Sequence, residues 1–284
     1  MPTAIDRFFD LLQVYDVPGF TKKRIGRKSD GGYVVLDELC DGSTVFSYGV
    51  GDDVSFEEDF VWRYNGRARC FDHTVDGIPT TDPRITFQKH GLGTGEKHLR
   101  LPRQDISEDV FATGYTVPRM LKIDIEYHEW DYLAHWFDSV ETCCHQIVIE
   151  LHILPVRTFH PDVPYKIEGR DLLHWDKLSP YFRQFYARFD TSVNEKLFQH
   201  YWAALSRLTA NYAIFHVHGN NSLPKVSVGD YDWPPLLELS LVRKDLVPDR
   251  TPTVQTFPVS DLDFPNKTNR PDFKYVLPFK VCPS

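Results

Sequence analysis

Short apolar runs recur along this chain, and each closes in glycine or in charged residues. They fall at Thr44–Tyr48, 67–72, 84–89, Met120–Ile125, His145–Leu151, Tyr212–Val217 and Leu236–Arg243. Runs this short and this apolar, spaced by helical stretches, predict a parallel sheet covered on both faces. Helices are expected over 4–15, from Ser55 onward, over 128–140 and over 194–209. The last carries Leu197, Phe198, Tyr201, Trp202, Leu205 and Leu208 on one face. Ser55, with Glu58 three residues on, reads as a capping box. Asp30-Gly31-Gly32 reads as the turn of a hairpin leading into Tyr33.

These elements describe one Rossmann-like α/β domain over 1–284. A helix and hairpin occupy 1–43, the core spans 44–154 and 194–245, and a tail wraps the surface over 246–284. An aromatic-rich insertion, 155–193, interrupts the core; its Trp175, Tyr181, Phe185 and Tyr186 suit either a sugar-stacking surface or a packed cap. With 42% hydrophobic and 25% charged residues the chain is neither disordered nor fibrous. No apolar run approaches the ~18 residues that span a bilayer. Asp6 and Asp10 break the N-terminal apolar stretch, so it is not read as a secretory signal. A net charge of −8 argues against bulk nucleic-acid or anionic-membrane partners. Five cysteines without a CxxC pair read as reduced intracellular thiols. The expected location is therefore cytoplasmic by default, and nothing in the sequence sets the oligomeric state.

In an open parallel sheet, ligands sit beyond the carboxyl ends of the strands. The first core strand runs into Gly49-Val50-Gly51-Asp52-Asp53, where Gly49 and Gly51 let a ligand approach the backbone. Asp72 ends the second strand, 21 positions after Gly51, where a carboxylate takes the ribose hydroxyls of an adenosine. A dinucleotide would set its pyrophosphate beside Asp52, Asp53, Glu57 and Glu58, and the third glycine of GxGxxG is absent. S-adenosyl-L-methionine carries a sulfonium and an ammonium and no phosphate, so an acidic loop suits it better. A tight turn with an acidic helix start, stabilised by the helix dipole, accounts for the same residues without a ligand.

Three polar pairs, Asp124/Glu126, Glu150/His152 and His216/His218, stand at i, i+2 at the ends of apolar strands. Strand periodicity turns both members of a pair to one side. Left unpaired in a dry site they would be costly, so they should meet water, each other or a cation. Asp124, Glu150 and His152 are candidate ligands for Mg²⁺ or Mn²⁺, with Zn²⁺ also compatible. His152, His216 and His218 are equally candidate general bases. Alternatively, Asp124 binds the methyl donor while Glu150 and His152 hold a hydroxylated substrate, or all are capping and ion-pair residues. Asn220, Asn221 and His128 are further candidates for polar contacts at this edge, or for an Asx turn and a first helical turn.

RIG…DGGYV (24–34), SYGVGDDVSFEE (47–58), FD (71–72), HGLG (90–93), LKIDIEYHEW (121–130), IELH (149–152) and HVHGNN (216–221) together resemble the FkbM-type S-adenosylmethionine-dependent methyltransferases, in their methyltransferase-like branch. The resemblance covers about two thirds of the chain, and LKIDIE is its most specific part. It implies a class I methyltransferase fold, a doubly wound seven-stranded sheet with the last strand antiparallel. It implies methyl transfer to a hydroxyl, commonly of a sugar or glycan. It sets Gly49, Gly51, Asp53, Asp72 and Gly91 on the donor site, with Asp124 and Glu126 beside the reacting methyl group. Where the family usually carries a small residue after DIE, often glycine, this chain has Tyr127. The rival expectations are a nicotinamide-dependent oxidoreductase and a non-catalytic binding subunit that keeps the fold.

Overall fold

The computed structural model describes residues 2–93, 103–104, 106–112, 114, 117–135, 137, 144–153, 166–167, 170–171, 193–223, 225–228, 231–277 and 279. The aromatic-rich insertion, with its four named rings, lies almost wholly outside the described residues.

The strands are β1 (Val14–Asp16), β2 (Lys22–Ile25), β3 (Tyr33–Leu36), β4 (Thr44–Tyr48), β5 (Arg67–Phe71), β6 (Ile85–Gln88), β7 (Met120–Ile123), β8 (Gln146–His152), β9 (Tyr212–Gly219), β10 (Leu236–Arg243) and β11 (Thr251–Thr253). The helices are α1 (Ala4–Asp10), α2 (Ser55–Tyr64), α3 (Ile106–Ala112), α4 (Glu129–His135) and α5 (Val193–Asn211). Nine strands form one mostly parallel sheet in the order β11-β1-β9-β10-β8-β7-β4-β5-β6. β10 runs antiparallel between β8 and β9, and β11 antiparallel to β1; the other neighbours are parallel. β2 and β3 pair as the expected hairpin.

The sheet thus has two strands more than the seven expected, both on the β9 edge. One comes from a segment read as helix. α1 opens on a Thr3/Asp6 capping box but ends at Leu11, and Val14–Asp16 then pairs with β9. The other, β11, carries Pro252, which an edge strand tolerates because its missing N–H can face away from the ladder. The expected Ser55 cap is also displaced. Val54 is the N-cap and makes no side-chain bond, while Asp53 Oδ1 accepts from Ser55 N at 2.9 Å.

The two faces of the sheet differ in kind. On one, α1, α4 and α5 bury Phe8, Phe9, Trp130, Phe198, Tyr201 and Leu205 against Ile149, Leu151, Leu239 and Leu241. Burying side chains of this size contributes about 1.5–3 kcal/mol each. On the other face, α2 covers the β4–β6 half with Phe56, Phe60 and Val61. The rest of that face is covered by the β2–β3 hairpin and the C-terminal tail, and here the strands turn polar. Lys122, Gln146, Glu150, His152, His216, His218, Glu238 and Ser240 are all buried. The hairpin satisfies one of them with its backbone: Gln146 accepts from Leu36 N at 2.6 Å and donates to Leu36 O at 3.1 Å. Cys40, Cys70 and Cys144 are buried free thiols. Among the described residues no helix is long and apolar enough to cross a membrane.

Candidate functional site

The carboxyl ends of β4, β5, β7 and β8 meet where the chain's winding reverses between β4 and β7. Gly49 leaves β4 at φ +79°, and a Cβ there would sit 1.6 Å from the Asp124 carbonyl oxygen. Only glycine allows the two loops to pack so closely. Gly51, at φ +55°, has nothing within 4 Å of its would-be Cβ and faces open space. Its N–H donates to Asp72 Oδ2 at 2.8 Å, and Asp72 Oδ1 accepts from the Thr74 N–H and hydroxyl, both at 2.6 Å. Asp72, which the spacing marks as a ribose ligand, is thus bonded to the Gly51 backbone. Asp53 turns the other way: its Oδ2 lies 3.2 Å from Arg27 Nη1, under the Gly31 turn. Gly91 is buried in a two-residue strand, Gly91–Leu92, paired with Arg103–Gln104.

Asp124 follows β7 and is the centre of the cluster. Tyr33 OH, from the hairpin, donates to its Oδ2 at 3.3 Å, while Oδ1 is buried without a hydrogen-bond partner. Burial pushes its carboxyl up to about 6, against the pull of Lys122 and His152. Glu150 is raised well above the carboxylate range, by burial first and then by Asp124. Asn220 Nδ2 donates to Glu150 Oε1 at 2.7 Å. Burial alone would lower His152, but Glu129 and Glu126 outweigh it and hold the imidazole well above its ordinary value. Its Nδ1 lies 3.2 Å from Glu129 Oε1 and its Nε2 3.4 Å from Glu126 Oε2. Glu129 is fixed in turn by Ile125 N, 3.0 Å away. The His152 bond pulls the exposed Glu126 carboxyl down. Asp124, Glu150 and His152 each bring one ligand-type atom within 4.8 Å of the others.

The loop that carries Asp124 is strained. Glu126 and Tyr127 have φ of +53° and +74°, a conformation that costs a non-glycine residue roughly 1–2 kcal/mol. Tyr127 therefore occupies a glycine-favouring position, and its ring lies against His152, centroids 4.4 Å apart.

His216 and His218 share the polar face but not the strand-end cluster. His216 Nε2 lies 2.7 Å from Asp263 Oδ1, and burial lowers its pKa despite that partner. His218 Nδ1 is 3.0 Å from Glu238 Oε2, and its Nε2 is 3.1 Å from Asp272 Oδ2. Both histidines anchor the tail. Asn221 does the same, donating to the carbonyls of Lys267, Arg270 and Pro271. His128 lies in the turn before α4 and accepts there from Tyr132 N at 3.0 Å through its carbonyl.

Four further residues belong to this face and were not read from the sequence as site residues. Glu238 stands opposite Glu150 in the β8–β10 register and accepts from Asn266 Nδ2 at 2.6 Å. Lys122 is buried two positions before Asp124, 3.6 Å from the buried Glu57, which also accepts a short bond from Ser47. Glu57 and Asp124 outweigh burial and keep Lys122 charged. Tyr33 and Glu129 hold Asp124 and His152. A lone Glu or Lys inside an apolar strand, as in LLELSL and MLKID, was a usable signal for the first two. No protein-family model and no curated protein matches the chain.

Proposed function

We propose that this chain is an S-adenosyl-L-methionine-dependent O-methyltransferase of class I architecture, acting on a hydroxyl of a sugar or glycan. Read from β6, the order is β6-β5-β4-β7-β8-β10-β9, in which β10, the last of these in the chain, is reversed, as the FkbM-type resemblance expects of a last strand; β1 and β11 extend the sheet at one edge. The observation that carries the reading is the junction of the β4 and β7 loops. Gly49 packs on the Asp124 backbone, open space adjoins Gly51, and Asp72 is bound to the Gly51 N–H.

The residues fit the donor. Asp72 has unused lone pairs for ribose hydroxyls, since each carboxylate oxygen accepts more than one bond. Exposed Asp52 in the loop and exposed Glu58 in the first turn of α2 remain unsuited to a pyrophosphate, which weighs against the nicotinamide alternative, while Glu57 is buried beside Lys122. When bound, the donor supplies an electrophilic methyl group. The acceptor oxygen's electron pair forms the new C–O bond, the S–C pair returns to sulfur, and Asp124 Oδ1, which lacks a donor, takes the hydroxyl proton. Holding oxygen, carbon and sulfur in line supplies much of the rate.

Calorimetry of the purified protein with S-adenosylhomocysteine tests the reading, followed by a sugar and glycan acceptor screen. Binding that weakens in Asp72→Asn, and transfer that vanishes in a folded Asp124→Asn, are expected. No binding by the wild type refutes it. Binding without turnover over a broad acceptor panel favours the non-catalytic subunit instead.

A further inference from the structure

We propose that Asp124, Glu150 and His152 bind one divalent metal ion, and that its open positions take a vicinal diol of the acceptor. The second half rests on the methyl-transfer reading; the first does not. The three ligand atoms already lie within 4.8 Å of one another, on two adjacent strand ends. A first-row ion with ligands at about 2.0–2.2 Å sets neighbouring ligand atoms about 3–3.6 Å apart, a closure of at most about 1–2 Å.

The stronger argument is the shell behind the ligands. The two carboxylates each have one outer hydrogen-bond partner, and a carboxylate lies beside the His152 ring. Tyr33 OH holds Asp124 Oδ2, leaving the buried Oδ1 without a partner. Asn220 holds Glu150 Oε1 at 2.7 Å, which leaves Oε2. Glu129, itself fixed by Ile125 N, sets Oε1 3.2 Å from His152 Nδ1, an ion-pair contact short of hydrogen-bond geometry. Carboxylate–histidine pairing of this kind sets the ring orientation of metal-binding imidazoles. The Nε2 neighbour, Glu126, is an exposed side chain that an ion displaces at little cost.

Two carboxylates and one imidazole suit Mn²⁺, Fe²⁺ or Zn²⁺. Three protein ligands on an octahedral ion leave three positions, room for two adjacent hydroxyls. The ion lowers the pKa of a coordinated hydroxyl. With the ion bound, Asp124 serves as a ligand in place of proton acceptor, and the proton released on transfer passes to solvent.

The test is titration of EDTA-treated, buffer-exchanged protein with MnCl₂, followed by the electron paramagnetic resonance of free Mn²⁺. One equivalent should bind per chain. Glu150→Gln and His152→Ala should weaken it by at least about tenfold, Glu129→Gln by about 10–100-fold, and Glu126→Gln by less than about threefold. Pulsed spectra should show one imidazole nitrogen coupling that His152→Ala removes. Melting curves check each fold, and the isosteric Glu150→Gln carries the test if His152→Ala does not fold. No stoichiometric binding below about 1 mM, or variants that bind like the wild type, overturns the site. S-adenosylhomocysteine calorimetry on the metal-free protein separates the two readings. Donor binding without Mn²⁺ binding sinks the metal site alone. Mn²⁺ binding without donor binding keeps the site and sinks its role on the acceptor.

Discussion

Raising the pH from 6.5 to 10 should draw stability out of the fold through one side chain, His218. The ring is 2% exposed and lies between Glu238 Oε2 at 3.0 Å and Asp272 Oδ2 at 3.1 Å. Burial pulls its pKa down, but Glu238, Asp272 and Asp263 outweigh burial and lift it to about 10. The folded protein thus holds this proton more tightly than the unfolded chain does. The stabilisation is complete below about 6.5, the unfolded value, and is lost as pH rises through about 10. A shift of that size corresponds to on the order of 5 kcal/mol, a large fraction of the ~5–15 kcal/mol that holds a typical domain. Urea unfolding at several pH values, read by tryptophan fluorescence, measures it; Trp233 is fully buried and serves as reporter. His152 contributes in the same direction and His216, with its lowered pKa, below the window, so the wild type alone is ambiguous. The comparison with His218→Gln isolates the effect. The variant should be less stable at pH 6.5 by a few kcal/mol and should converge on the wild type near pH 10. Parallel pH profiles for the two proteins would refute the reasoning.

Three other outcomes are expected. Gly49→Ala forces a methyl group into the Asp124 carbonyl and should cost more than about 3 kcal/mol or prevent folding, whereas Gly51→Ala, strained but unobstructed, should cost only about 1–2 kcal/mol while weakening S-adenosylhomocysteine binding; chemical denaturation and calorimetry read the two effects separately. Lys122→Met leaves Glu57 buried without its cation and should destabilise by about 3–5 kcal/mol in urea unfolding, with a Glu57→Gln/Lys122→Met double variant recovering part of the loss. Asn221→Ala removes the donor to three tail carbonyls and should cost about 1–3 kcal/mol, with faster proteolytic cleavage beyond residue 260 under native conditions as the readout.

The sequence announces the central sheet well because its strands are buried on both faces. Leu236–Arg243 has the expected bounds, and the strands ending at Tyr48 and Phe71 lie within a residue of theirs. The edge is different. Val14–Asp16 and Thr251–Thr253 are three-residue strands, too short for a period, and pairing partners more than 190 residues away decide them. At the site, the i, i+2 reading holds for Glu150 and His152 in β8; Asp124 and Glu126 lie beyond the end of β7, where Glu126 turns to positive φ, and Asp124 joins the cluster from the loop. Residue spacing could not separate this cluster from His216 and His218, whose partners, Asp263 and Asp272, come from the tail 47 and 54 positions later. The Gly51–Asp72 bond was not foreseen, although the two residues follow adjacent parallel strands that bring them side by side. Tyr127 looked like a departure from a small-residue pattern; its positive φ gives the physical reason why a small residue is favoured there.

The uneven cover of the polar face assigns its two halves different work. A helix packed on a sheet offers mainly side chains, since its own backbone groups are bonded internally. A hairpin and an irregular tail offer backbone groups as well as carboxylates and amides. Strand residues beneath them can therefore be charged and still be partnered: Gln146 by the Leu36 backbone, His216 by Asp263, His218 by Asp272, Glu238 by Asn266. At the strand ends Asp124 Oδ1 and Glu129 Oε2 are buried without a hydrogen-bond partner, as Gln255 Oε1 and Asn266 Oδ1 are in the tail. Unpartnered buried oxygens cost free energy, and those beside the strained 126–127 loop are the ones the proposed site would use. Substitutions beneath the tail should then register first as lost stability, and isosteric ones at Asp124 or Glu150 first as lost binding or turnover at nearly unchanged stability. A set of variants scored on both axes would separate the two halves, and equal losses on both axes throughout would show that the face is structural from end to end.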